Sequence, residues 1–218
     1  MAELSRHGSN GTVRSGISRR TFLKHGGTSA VGAALLEARA AQAAVDSSMQ
    51  GDANEVLGPG PIPIDLMING QPVPVQAEPS TTLVEILRNQ LGLTGTKIGC
   101  DRGACSACTV WLDGQPASSC MTLALDARGR TITTIEGLAD GDRLHPVQQA
   151  FVEHDALQCG FCTPGMVMSC AALINRKSDA GIDDVKAAIS GHLCRCGTYP
   201  NIFAAMLAVA NENRTGGI

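Results

Sequence analysis

An α+β fold in two parts is predicted, and three observations carry it. Between residues 62 and 139 short apolar strands and tight turns surround one helix and one glycine-rich loop. From Asp140 onward the texture changes to four short helical candidates. Eight of the nine cysteines fall into two sets of four, one set in each part. Strands first and helices after, each part with its own clips, is a segregated α+β pattern.

The elements follow in order. Residues 45–61 are polar and rich in Gly and Pro, which reads as a linker. Ile62–Ile68 is a strand, Asn69-Gly70 a hairpin turn, and 71–76 the returning strand. Thr82-Leu83-Val84-Glu85 is a capping box. It opens a helix with Leu83, Ile86, Leu87 and Leu91 at helical spacing. Residues 99–108 form a short loop of small residues. Thr109–Leu112 is then a strand, Asp113-Gly114 a turn, and 131–135 the last strand. Hairpin, helix, loop and strands suggest a β-grasp arrangement over 62–139. Helices are expected at about 146–154, 164–176, 183–190 and 200–211, with Pro164 and Pro200 where a helix begins. They suggest a small four-helix domain over 140–212, with a tail at 213–218.

The cysteines carry the chemistry. Cys100, Cys105, Cys108 and Cys120 read C-x4-C-x2-C-x11-C. That is a plant-type ferredoxin spacing, in which four thiolates hold a [2Fe–2S] cluster. Cys159, Cys162, Cys194 and Cys196 read C-x2-C-x31-C-x-C and supply a second complete set. Such a cluster takes two thiolates on each iron and wants N–H donors around its sulfur. Glycines let the loop curl and turn its amides inward. Cys120 would reach in from a neighbouring segment. Cys159–Cys162 is one tight clip and Cys194–Cys196 another, and the 31 residues between them suffice for two helices that bring them together. Two zinc sites or disulfides would also use such cysteines. Cys159-Gly160-Phe161-Cys162 alone resembles a thioredoxin-like motif, but the stretch before it looks helical rather than strand-like. Cys170 lies on an apolar stretch and reads as a small buried hydrophobe.

The first residues resemble an export signal. Ser18-Arg19-Arg20-Thr21-Phe22-Leu23-Lys24 has the form of a twin-arginine signal. A weakly apolar Gly/Ala run follows, and Ala41-Gln42-Ala43 before Ala44 offers a cleavage site. The run is too short to span a bilayer. The alternative is a disordered tail with a chance Arg pair. Twin-arginine export carries folded proteins, so a cluster inserted in the cytoplasm would cross intact. A chain threaded unfolded into the periplasm would risk oxidising its thiols.

Composition narrows the partners. Residues 1–44 hold six Lys/Arg and two Asp/Glu; the remainder has 11 and 18, a net charge of −7. That balance argues against nucleic acid. Aromatics make up 3%, so metal clips would help hold small domains together. The chain has no G-x-G-x-x-G, no Ser/His/Asp arrangement and no suggestive carboxylate pair, hence no sign of a substrate site. His145, His154 and His192 are scattered, and His192 reads as a structural or surface residue.

Three segments carry a resemblance. They are Gly99-Cys-Asp-Arg-Gly-Ala-Cys-Ser-Ala-Cys108, Gln158-Cys-Gly-Phe-Cys-Thr-Pro-Gly165, and Leu193-Cys-Arg-Cys-Gly-Thr-Tyr199 with Pro200, Asn201 and Ile202. With these, the chain resembles the iron–sulfur subunit of the molybdenum hydroxylases of the xanthine oxidase and aldehyde oxidoreductase family. It looks most like the exported aldehyde oxidoreductase type. The resemblance implies a ferredoxin-like β-grasp domain and a four-helix domain, each holding one [2Fe–2S] cluster. It implies a large partner subunit with a molybdopterin cofactor, and an FAD subunit or other acceptor beyond the first cluster. Gln158 matches the family position that hydrogen-bonds the pterin. From its residues alone the lesser alternative is that it simply caps a helix end. The implied function is electron transfer during aldehyde oxidation in the periplasm. The same relay for an N-heterocycle hydroxylase, or a non-enzymatic periplasmic zinc or disulfide protein, are the alternatives.

Overall fold

β1 (Ile62–Ile68) alternates between faces: Ile64, Leu66 and Ile68 are buried, while Pro63, Asp65 and Met67 point to solvent. That is the pattern of a strand with one wet face. The computed structural model of the chain describes Arg20 and residues 58–215. The export-signal reading at 1–44 and most of the linker therefore lie outside the described residues. At Asn69-Gly70 both residues take positive φ, 50° and 79°. A two-residue hairpin of this hand matches the twist of its strands. β2 (Gln71–Ala77) returns in register, with Ile68 opposite Gln71 and Ile62 opposite Ala77.

The sheet has five strands in the order β2-β1-β5-β3-β4. β3 is Thr109–Leu112, β4 Gln115–Ser118 and β5 Thr131–Thr133. β1 and β5 are parallel, and the remaining pairs are antiparallel. β4 escapes the sequence pattern because it is a polar edge strand containing Pro116. The last strand is shorter than expected. The Thr134 amide donates to Asn69 Oδ1 at 2.9 Å instead of to a neighbouring strand, and Ile135–Gly137 turns as a 3-10 helix.

The helix after the capping box also differs. The Glu85 carboxylate accepts from both the amide and the hydroxyl of Thr82, each at 2.8 Å. α1 (Leu83–Glu85) then widens at once into a π-helical turn, Ile86–Gln90. Two side chains on that turn are tied outside the helix. Gln90 Nε2 donates to the Gln76 carbonyl at 2.7 Å, and Arg88 reaches the loop ahead. Leu83, Ile86 and Leu87 still face the sheet, joining Leu66, Val110 and Ile132 in one core.

The helical part consists of α2 (Pro146–Glu153), α3 (Thr163–Arg176), α4 (Ile182–Ala188) and α5 (Tyr199–Thr215). Pro164 and Pro200 occupy the second position of their helices, where the amide has no intrahelical partner anyway. α3 is the spine, buried from Gly165 through Ile174, with Cys170 fully covered as expected. Phe151, Met166, Met168, Ile202 and Met206 fill the second core.

β3 joins the two cores. All four of its residues are buried. Val110 and Leu112 face the sheet core, and Trp111 faces the helical one. Trp111 Nε1 donates to the Met168 carbonyl on α3 at 2.8 Å. No helix among the described residues is long and apolar enough to cross a membrane.

Candidate metal centres

The first set is built on a curled loop. Asp101, Gly103 and Ser106 take φ of 52°, 69° and 56°. The curl aims amides at sulfur: Gly103 N donates to Cys120 Sγ at 3.3 Å, and Ala104 N to Cys100 Sγ at 3.2 Å. Cys120 arrives from the 3-10 helix Ser119–Met121, as the spacing suggested. A Cβ on Gly99 would sit 2.9 Å from Cys105 Sγ, so this glycine makes room for the thiol. The thiols meet in pairs, Cys100 with Cys105 and Cys108 with Cys120. The Arg102 amide, with help from the Cys105 thiol, holds Cys100 down at about 7. Burial pushes Cys120 up to about 11.

The second set is built on helix ends. Cys162 is the N-cap of α3, and Gly160 beside it has φ 77°. Cys194 and Cys196 lie between α4 and α5. The Cys194 amide donates to the Tyr199 hydroxyl at 2.8 Å, which donates to the His192 carbonyl at 2.9 Å. Asn201 Nδ2 donates to the carbonyls of His154 and Asp155, fixing the start of α5 to the end of α2. Tyr199 and Asn201 stand in the third motif, but their holding roles need the tertiary structure to be seen. The Cys162 and Cys194 side chains touch, with Cys159 close by. Burial raises Cys162 to about 12. Burial also acts on Cys194, but the Thr198 hydroxyl and amide outweigh it and bring the thiol to about 7.

All nine cysteines are free. Among the described residues no three His, Cys, Asp or Glu side chains close on one point as a single ion requires. Pairs of thiols, with amides turned toward sulfur, are the donor set of a two-iron cluster rather than of tetrahedral zinc. His192 is buried, its Nε2 2.7 Å from Ser169 Oγ, and burial holds it down at about 4. It is structural. Gln158 is exposed beside the exposed Cys159. It caps neither helix, because the C-cap of α2 is His154 and the N-cap of α3 is Cys162. Arg102 Nε donates to the Cys100 carbonyl at 3.2 Å within its own loop, and Arg195 is exposed.

The two centres are in contact through backbone. Leu193 N donates to the Cys105 carbonyl at 3.2 Å, and Ser106 Oγ to the Gly191 carbonyl at 3.1 Å. Gly165, in the first turn of α3, lies so close to Ser106 that a Cβ would collide with the Ser106 carbonyl.

Residues 66–133 match the family described as the 2Fe-2S iron-sulfur cluster binding domain, and 134–207 the [2Fe-2S] binding domain. A nicotinate dehydrogenase subunit from Pseudomonas putida is 47% identical over 151 residues, 69% of this chain and 96% of that protein. The chain belongs to the iron–sulfur subunits of the molybdenum hydroxylases. Within that family, the aldehyde oxidoreductase iron-sulfur-binding subunit PaoA of Escherichia coli is 42% identical over 167 residues, 69% of this chain and 72% of that one. Among solved structures, quinoline 2-oxidoreductase from Pseudomonas putida 86 aligns with TM-score 0.68 and 43% identity, over 73% of this chain and 99% of that chain. Aldehyde oxidoreductase from Desulfovibrio gigas aligns with TM-score 0.66 and 37% identity, over 72% of this chain but 18% of that chain. This subunit therefore carries two [2Fe–2S] domains and serves electron transfer in an oxidoreductase complex.

Proposed function

We propose that this chain is the electron-transfer subunit of an exported, molybdenum-containing aldehyde oxidoreductase. Cys100, Cys105, Cys108 and Cys120, in a domain spanning 62–139, hold one cluster. Cys159, Cys162, Cys194 and Cys196, in a domain spanning 140–212, hold the other. A bound [2Fe–2S] cluster supplies one-electron redox chemistry. The observation that carries this reading is the contact between the sets: the Leu193 amide, next to Cys194, donates to the Cys105 carbonyl. Covalent bonds and one hydrogen bond thus join a ligand of each set.

The large partner holds the molybdopterin cofactor, and Gln158 hydrogen-bonds its pterin. The exposure of Gln158 and Cys159 on the loop between α2 and α3 supports this, because both are free to be covered by a partner. An FAD subunit or another acceptor docks nearer the first set. The Arg19-Arg20 motif and the apolar run after it support twin-arginine export to the periplasm, with residues 1–44 as the signal. The aldehyde assignment draws on that signal and on the PaoA relative. The nicotinate dehydrogenase relative supports a second reading, in which the substrate is an N-heterocycle.

The test is metal and sulfide analysis of the purified complex, followed by anaerobic reduction with benzaldehyde or nicotinate. Expected are about four irons and four labile sulfides on this chain, and visible bleaching by the aldehyde. Zinc, or half the iron, would refute the two-cluster assignment. Bleaching by nicotinate alone would move the substrate to the heterocycles.

A further inference from the structure

We infer that Arg88 is a positioning residue for the first metal centre, clamping the limb of chain that leads into Cys100. The inference rests on the cluster assignment above and adds a residue that none of the cysteine motifs contains.

The clamp follows from the π-helical turn. Leu91 N donates to the Ile86 carbonyl at 3.2 Å and Leu93 N to the Leu87 carbonyl at 2.8 Å, so the helix end is wider than an α-helix. From that turn Arg88 Nη1 donates to the Thr94 carbonyl at 2.9 Å and to the Thr96 carbonyl at 2.6 Å. The limb between Leu91 and Gly99 has no helix or strand of its own. Apart from Leu93 and Ile98, which pack against apolar clusters, its other anchors are hydrogen bonds. Lys97 Nζ donates to the Thr94 carbonyl, Gly95 N to Glu136 Oε1, and Lys97 N to the Ala107 carbonyl at 3.3 Å. The last of these closes the base of the cluster loop, one residue from Thr96. Arg88 therefore holds the backbone immediately beside the closure on which the curl of 99–108 stands.

The chemistry suits a guanidinium. It is planar, always charged, and able to span two carbonyl oxygens. Arg88 is half-buried, and among the described residues it has no carboxylate partner. Among the described residues, the hydrogen bonds of its side chain go to carbonyls of the limb. An ammonium on a flexible stem would not fix both carbonyls in one geometry. The clamp's own contacts lie in the sheet part, so its influence should be largest at the first centre.

The experiment compares Arg88→Met, Arg88→Lys and Gln90→Met in the purified complex. Gln90→Met cuts the neighbouring tether of the same turn to Gln76 and leaves the limb untouched. The readouts are the EPR signals of the two centres and the rate of iron release to a chelator. The first centre's signal is the one lost in Cys105→Ser. Arg88→Met removes both hydrogen bonds; it should broaden or shift that signal and release its iron at least about tenfold faster, the factor that one charged hydrogen bond alone implies. Arg88→Lys should fall between. The second signal, and both signals in Gln90→Met, should match the unsubstituted protein. An unchanged first signal and release rate in Arg88→Met would overturn the inference. So would parallel changes at both centres, or the same change in Gln90→Met. Absence of two signals in the unsubstituted complex would overturn the cluster assignment and this inference with it.

Discussion

The two cysteine sets are assembled by different means. The first is a product of local chain curvature. Three residues with positive φ bend residues 99–108, and the amides of Arg102, Gly103 and Ala104 act on cysteine sulfur. The second is a product of docking. Its two clips sit beside the ends of separate helices; from the start of α5, Tyr199 seats Cys194 and Asn201 holds the end of α2 that leads toward Cys159. A centre made by curvature depends on its own loop and the limb entering it. A centre made by docking depends on helix packing, and hence on the whole helical core.

The strongest way to break this comparison is to remove one ligand. Cys105→Ser should eliminate one of two EPR signals and about half of the iron, leaving the second signal intact. Loss of both in a folded protein would mean that the sets are interleaved. The next test loads the seam. In Gly165→Ala the new methyl group meets the Ser106 carbonyl, backbone against helix. Overpacking of this kind costs about 1–3 kcal/mol, and denaturant unfolding should register it. Because the methyl wedges the first loop off α3, transfer between the centres should slow while both signals persist. Unaltered stability would show that the seam yields more easily than its geometry implies.

The smallest effect concerns charge, and it asks whether the halves differ there at all. In the sheet part, Arg130 and the Thr131 amide hold the Asp113 carboxyl below its ordinary range. In the helical part, Lys177 and the Gly181 amide do the same for Asp184. A carboxyl lowered by folding stabilises the protein above the unfolded value near pH 4. That contribution is lost as pH falls through the folded value. Asp113→Asn and Asp184→Asn should each slightly flatten the acid side of the stability profile. Both groups are exposed pairs, so the changes should be small and alike. A large change in one alone would make electrostatics a further difference between the halves.

How far the sequence reveals this depends on the range over which each feature is determined. The hairpin at Asn69-Gly70, the capping box at Thr82 and the cysteine clips are local, and their residues announce them. β4 is hidden because Gln115, Pro116 and Ser118 lack strand character, and only pairing with β3 makes the strand. The π-helical turn is hidden because apolar spacing from Leu83 to Leu91 suits an α-helix equally well. Its widening accompanies bonds made by Arg88 and Gln90 to chain outside the helix. Likewise nothing near Tyr199 says that its hydroxyl will seat Cys194.

Trp111 is the only tryptophan in the chain, and its indole crosses from the sheet to the helical core. Its fluorescence is therefore a built-in gauge of the seam. Emission shifts when water reaches the indole, whether or not either half has unfolded. Bleaching of cluster absorbance marks damage to the centres. Recorded together during denaturation, the two colours distinguish parting of the halves from collapse of either one.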